Sequence, residues 1–133
     1  DLELLRAPVQ EIGLQVFEDL KPGDMLFIDS SHVLMPGSDV DLLINRALPG
    51  LPSGVLVHFH DIFLPDDYPH HWAWRGYNEQ LAVAALLTSK SYAPVFASHF
   101  VVSRMREVLS RSAVSRILRP TGAIESSLWL RKI

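Results

Sequence analysis

Cysteine is absent from the 133-residue chain, which excludes disulfides, zinc–thiolate sites and a cysteine nucleophile. Long apolar runs are absent too. The longest, Leu81 to Leu87, falls far short of the about 20 residues needed to cross a bilayer. No basic stripe occurs, and a net charge of −3 with a pI near 6.0 offers nucleic acid no electrostatic attraction. Glycine is scarce where nucleotide chemistry needs it. The seven glycines, at 13, 23, 37, 50, 54, 76 and 122, never form G-x-G, the turn that lets phosphate or ribose approach the backbone in α/β nucleotide sites. The chain also opens Asp1-Leu2-Glu3 without a methionine, so a piece of a larger domain is the expectation. Neither nucleic acid nor membrane is an expected partner, and a cytoplasmic location is expected.

What is present is a globular composition. Hydrophobic residues at 48% against 20% charged are enough to bury one core, so residues 1–133 are read as a single domain. The stretch Gly54-Val55-Leu56-Val57-His58-Phe59-His60-Asp61 starts as a short Val-rich strand between turn residues and ends in ionisable side chains. Met25-Leu26-Phe27-Ile28 runs into Asp29-Ser30-Ser31-His32 in the same way. Between them a helix is predicted, with Ser38 as N-cap and Val40, Leu43, Ile44, Ala47 and Leu48 on one face. Strand, helix and strand make a βαβ unit with parallel strands. If they are neighbours, Asp29 and Asp61 end at one sheet edge with backbones about 5 Å apart, where ligands bind in open α/β sheets.

The remaining chain fits that frame. Val9, Ile12, Val16, Phe17 and Leu20 predict a preceding helix that ends at Lys21-Pro22-Gly23-Asp24. Residues 62–75 form a long loop with Phe63, Tyr68, Trp72 and Trp74, read either as a substrate lid or as a plug on the sheet edge. Asn78 is a candidate cap for a helix to Thr88 that is apolar nearly all round, and therefore buried or at an oligomer interface. Pro94 to Val102 reads as a third strand, followed by a short helix with Met105, Val108 and Leu109 inward. Arg104, Arg106, Arg111, Arg116 and Arg119 read as a solvated face. Ser127 to Ile133 alternates as an edge or antiparallel strand.

Phe27-Ile28-Asp29-Ser30-Ser31-His32, the strand from Gly54 to Phe63, Asn78-Glu79-Gln80 and Ser127-Leu128-Trp129-Leu130-Arg131 together resemble the C-terminal half of a class I S-adenosylmethionine-dependent methyltransferase. The similar branch carries Asp-x-x-His after the fourth strand and His-Asp or Glu-Asp after the fifth. The resemblance covers roughly residues 8 to 133. It implies an α/β, Rossmann-like fold, mostly parallel, of which this chain supplies strands four to seven, with helices on both faces and an antiparallel last strand. The glycine-rich cofactor-binding half has no counterpart here, so the chain alone is expected to be inactive.

Asp29 and Asp61 carry the chemistry in this reading. Two carboxylates at one strand edge repel, so they share a proton or bind a cation, Mg²⁺ or Ca²⁺ by oxygen-ligand preference. The resemblance implies Mg²⁺ at Asp29, His60 and Asp61, cofactor contacts from Asp29 and Ser30, and His32 as general base toward an accepting hydroxyl. O-methylation of a small molecule or sugar is the implied reaction, with Tyr68 and Trp72 as substrate contacts. His58, in mid-strand, is read as a hydrogen-bonded core histidine, and His70, His71 and His99 as structural or exposed. Two alternatives stand beside this: a metal-dependent hydrolase or oxygenase on His58, His60 and Asp61, and a non-catalytic assembly module. The second expects homo-oligomers through an exposed sheet edge.

Overall fold

In the computed structural model, which describes residues 2–133, Met25–Ile28 (β1) and Leu56–Phe59 (β2) are parallel neighbours with Ile28 opposite Phe59. The crossover between them is a continuous helix, α in Asp39–Leu42 (α2) and Leu48–Gly50 (α3) with a π turn at Leu43–Ala47 between. Ser38 caps it, its Oγ accepting from the Asp41 N–H at 3.1 Å. The π turn ends two residues before Pro49, which has no N–H to donate and whose ring crowds a tight turn. The βαβ unit is therefore present as expected.

Tyr92–Ala97 (β3) and Leu128–Lys132 (β4) complete a sheet of order β1-β2-β4-β3. The last strand runs antiparallel to both its neighbours, β2 and β3. By pairing the sheet is thus mixed, one parallel pair and two antiparallel, and not mostly parallel. β4 is an interior strand, and β3 takes the edge. That position tolerates Pro94, and the ladder is irregular between Pro94 and Phe96.

The core lies on one face of this sheet. Ile28, Val57, Phe59, Leu128 and Leu130 pack with Leu43, Ala47 and Leu48 of the crossover helix and Val83 of Glu79–Thr88 (α4), each large side chain contributing about 1.5–3 kcal/mol by burial. The opposite face carries Met25, Phe27, His58 and Trp129, and Met25 and Phe27 are 52% and 55% exposed. Helices on both faces were expected. The helices that build the core occupy one.

Other expectations need correcting in detail. The helix predicted from Val9 to Leu20 is a 3₁₀ turn, Val9–Glu11, and a single α turn, Gln15–Glu18 (α1). Gly13 stands between them at φ +76°, a left-handed residue that a right-handed helix cannot pass through. The third strand begins at Tyr92 and stops at Ala97. Ser98–Arg104 (α5) and Arg106–Arg111 (α6) follow, so residues 98–102 are helical. Met105 and Val108 face outward, and so does Leu81 of α4 at 69% exposure. The five arginines from Arg104 to Arg119 are exposed. Among the described residues no helix is long and apolar enough to cross a membrane.

Candidate active site

Both strands of the βαβ unit end in residues with left-handed backbones. His32 has φ +59° and Asp61 φ +56°, which cost a non-glycine residue about 1–2 kcal/mol each. Such positions persist only where the surroundings hold them, and here they do. The His32 N–H donates to Ser30 Oγ at 3.0 Å, and its carbonyl accepts the Asn78 and Glu79 N–H groups at 3.0 and 3.2 Å. The His32 backbone thus takes up the first donors of α4. Asn78 was expected to cap that helix with its side chain. Instead its Oδ1 accepts from the Leu34 N–H at 2.6 Å and its Nδ2 donates to the Leu34 carbonyl at 3.3 Å.

This docking puts Glu79, fully buried, beneath the His32 ring. Glu79 Oε2 lies 2.8 Å from His32 Nδ1, and Oε1 accepts from Ser30 Oγ at 3.0 Å. The other ring nitrogen, Nε2, faces Asp29 Oδ1 at 3.4 Å and Asp61 Oδ2 at 3.8 Å. Asp61 is itself steadied by Ser126, whose Oγ donates to Oδ1 at 2.9 Å. His60 Nδ1 lies 3.0 Å from Asp61 Oδ1 and 4.0 Å from Asp29 Oδ1, at ion-pair distance but without hydrogen-bond alignment. Burial pushes the His32 imidazole toward neutrality. The Glu79 hydrogen bond and the charges of Glu79, Asp61 and Asp29 outweigh it and raise the pKa above 6.5.

Four expected residues therefore meet at one edge: Asp29, His32, His60 and Asp61. Ser30 is turned inward, its hydroxyl committed to Glu79 and to the His32 N–H. His58 stands apart, stacked on Phe27 at 4.4 Å and edge-on to Trp129 at 4.6 Å, with its ring 6.4 Å from that of His60. It is buried as expected, but on the sheet face opposite the core and not hydrogen-bonded, its buried Nδ1 having no partner among the described residues. Burial lowers its pKa, the nearby His60 adds to that, and Asp29 opposes it.

Beside His32 the aromatic segment folds into a wall, with His70–Arg75 as a 3₁₀ turn where a loop was expected. Tyr77 leans on the His32 ring at 4.6 Å and touches Tyr68 at 5.7 Å and Trp72 at 5.9 Å. Tyr68 Oη accepts from the Gln80 N–H at 3.2 Å, and burial pushes its phenol up to about 12. His70 and His71 are exposed, whereas His99 Nε2 binds Asp66 Oδ2 at 2.9 Å. Reading the sequence missed Glu79, Tyr77 and Ser126. The signals for Glu79 were its place in the Asn78-Glu79-Gln80 stretch and an acid leading an apolar helix.

Two carboxylates and an imidazole suit Mg²⁺ by donor type. The gap between Asp29 and Asp61, however, is taken by His32 Nε2, which is drawn toward its protonated form. Nε2 stands where a cation shared by the two carboxylates would sit. The arrangement fits the imidazole and not the ion, and no step is derived through a metal. Asp29 keeps 58% of its side chain exposed.

Compared with known proteins, the chain matches no family model, no curated protein and no solved structure. The class that the fold defines is an α/β domain on a four-stranded mixed sheet.

Proposed function

We propose that this chain is the acceptor-activating part of an S-adenosylmethionine-dependent O-methyltransferase, with His32 as general base. The observation that carries the reading is the Glu79–His32 pair aimed between Asp29 and Asp61 at the carboxyl ends of two parallel strands. The antiparallel last strand supports it as well. Asp29 would hold the amino group of the cofactor's methionine part. When bound, that cofactor supplies a methyl carbon that passes from sulfur to the acceptor oxygen, leaving a neutral thioether. His32 Nε2, when neutral, takes the proton of the accepting hydroxyl. Glu79 keeps the proton on Nδ1, fixes the ring orientation and stabilises the imidazolium that forms. Asp61, held by Ser126, adds negative charge beside that cation. Tyr77, Tyr68 and Trp72 wall the acceptor side and exclude water.

The hydrolase or oxygenase alternative needs His58, His60 and Asp61 to converge. The His58 ring is engaged with Phe27 and Trp129 on the sheet face instead.

The test is calorimetric titration of S-adenosylmethionine into the protein as encoded, with any residues that precede Asp1, and into the 133-residue chain, each with and without EDTA. Binding by the longer form, unchanged by chelation, is the expected result. Binding abolished by chelation favours Mg²⁺ at Asp29, His60 and Asp61 over the metal-free version. Absence of binding by either form overturns the methyltransferase reading.

A further inference from the structure

Arg75 is a cation without a counter-charge. Among the described residues no carboxylate lies within ion-pair distance of it, although nine other close acid–base pairs form. Its guanidinium lies over the Trp72 ring at 4.4 Å, with Tyr77 at 5.3 Å and Trp74 at 5.4 Å. Nη1 donates to Tyr77 Oη at 2.9 Å, whereas the buried Nε has no hydrogen-bond partner.

Stacking occupies the faces of a guanidinium and leaves its in-plane donors available. Here the Nη1 side is engaged, and the Nε/Nη2 edge is the unpaired one. That edge is the fork that takes two oxygens of a carboxylate or phosphate at once. A buried donor left unpaired is costly, so a site that carries one is suited to a ligand that satisfies it. The same Tyr77 that receives Nη1 also leans on the His32 ring at 4.6 Å. One aromatic side chain therefore joins the unpaired cation to the base.

We propose that Arg75, held flat by Trp72 and Tyr77, anchors an acidic group, a carboxylate or phosphate, on the molecule that presents its hydroxyl to His32. The assignment of His32 rests on the methyltransferase reading; the anion site itself does not. The acceptor class is accordingly a hydroxylated acid, the acidic group one aromatic side chain away from the reacting oxygen.

Trp72 and Trp74 lie against the guanidinium, so indole fluorescence reports its occupancy. The probes are 4-hydroxybenzoate and phenyl phosphate, with neutral 4-hydroxybenzyl alcohol as comparator, titrated into the encoded protein without S-adenosylmethionine. The two anions distinguish a carboxylate from a phosphate preference. At least one is expected to bind about tenfold or more tighter than the neutral probe, the size of one charge-assisted contact. Arg75→Gln is expected to erase that preference and Arg75→Lys to retain part of it, both with native circular dichroism. If Arg75→Gln fails to fold, Arg75→Lys carries the comparison, since a point charge without the fork must weaken binding. Equal binding of charged and neutral probes, a preference that survives both substitutions, or no saturable binding of either anion overturns the proposal. Because cofactor is absent from these titrations, an anion preference in a protein that never binds S-adenosylmethionine leaves this site standing while the methyltransferase reading falls.

Discussion

At the scale of single residues, the imidazole of His32 decides how the edge behaves. Asp29 and Asp61 were expected to share a proton or hold a cation. His32 Nε2 lies between them, at 3.4 and 3.8 Å. Its folded pKa is raised, so its contribution to stability is complete below 6.5 and is lost as pH rises through the folded value. His58 works in the opposite sense. Its folded pKa is lowered, so its contribution is complete above 6.5 and is lost as pH falls through the folded value. Bulk unfolding curves mix the two, and nuclear magnetic resonance titration of the individual ring protons separates them. His32 is expected to titrate above 6.5 and His58 below it. Glu79→Gln removes the leading partner that raises His32, so the His32 midpoint is expected to move down while His58 stays. A His32 midpoint that ignores Glu79→Gln sinks the pairing. The substitution also leaves a buried site with weaker acceptors, and a loss of about 1.5–3 kcal/mol in urea unfolding is expected.

Among the elements, what was readable in the sequence is what local pattern determines. The 25–61 βαβ unit follows from two apolar runs, one helical periodicity and the Ser38 cap, and all three are in place. The helix predicted over 9–20 failed because its apolar spacing is helical while Gly13 is left-handed, and spacing carries no information about φ. Residues 98–102 failed because a short Val- and Phe-containing run suits a strand and a helix equally. Within the site, Asp29, His32 and Asp61 stand out by chain position alone. Glu79 and Ser126 do not, since they reach the site across 47 and 65 residues of sequence. Gly54, in the turn two residues before β2, has φ +90°, and a Cβ there would lie 3.0 Å from Pro22 Cβ. Its N–H donates to the Lys132 carbonyl and its own carbonyl accepts from Gly23, so the turn has little room to relax. Gly54→Ala is expected to destabilise by about 1–2 kcal/mol from backbone conformation alone, and more with the Pro22 contact. Chemical denaturation measures it, and an unchanged midpoint contradicts the strained-turn account.

For the whole molecule, the two sheet faces are unequal. One is closed by the core, and the other presents Met25 and Phe27 more than half exposed beside His58 and Trp129. β1 is also an edge strand, with its outer side unpaired in the sheet order. An apolar face next to an open edge is a template for pairing with another chain. His58 is buried on that side between Phe27 and Trp129, its Nδ1 without a hydrogen-bond partner among the described residues. The 133-residue polypeptide is therefore expected to self-associate with rising concentration in sedimentation velocity. Phe27→Lys places a charge in the middle of that face without touching the Ile28 side of the strand, so it should shift the chain toward monomer. Because Phe27 stacks on His58, the same substitution is expected to move the His58 titration while leaving His32 where it was. Monomeric sedimentation of the unsubstituted chain at every concentration would show that the open face does not pair with its own copy. Movement of His32 along with His58 would show that the face and the His32 edge are coupled rather than separate surfaces of one sheet.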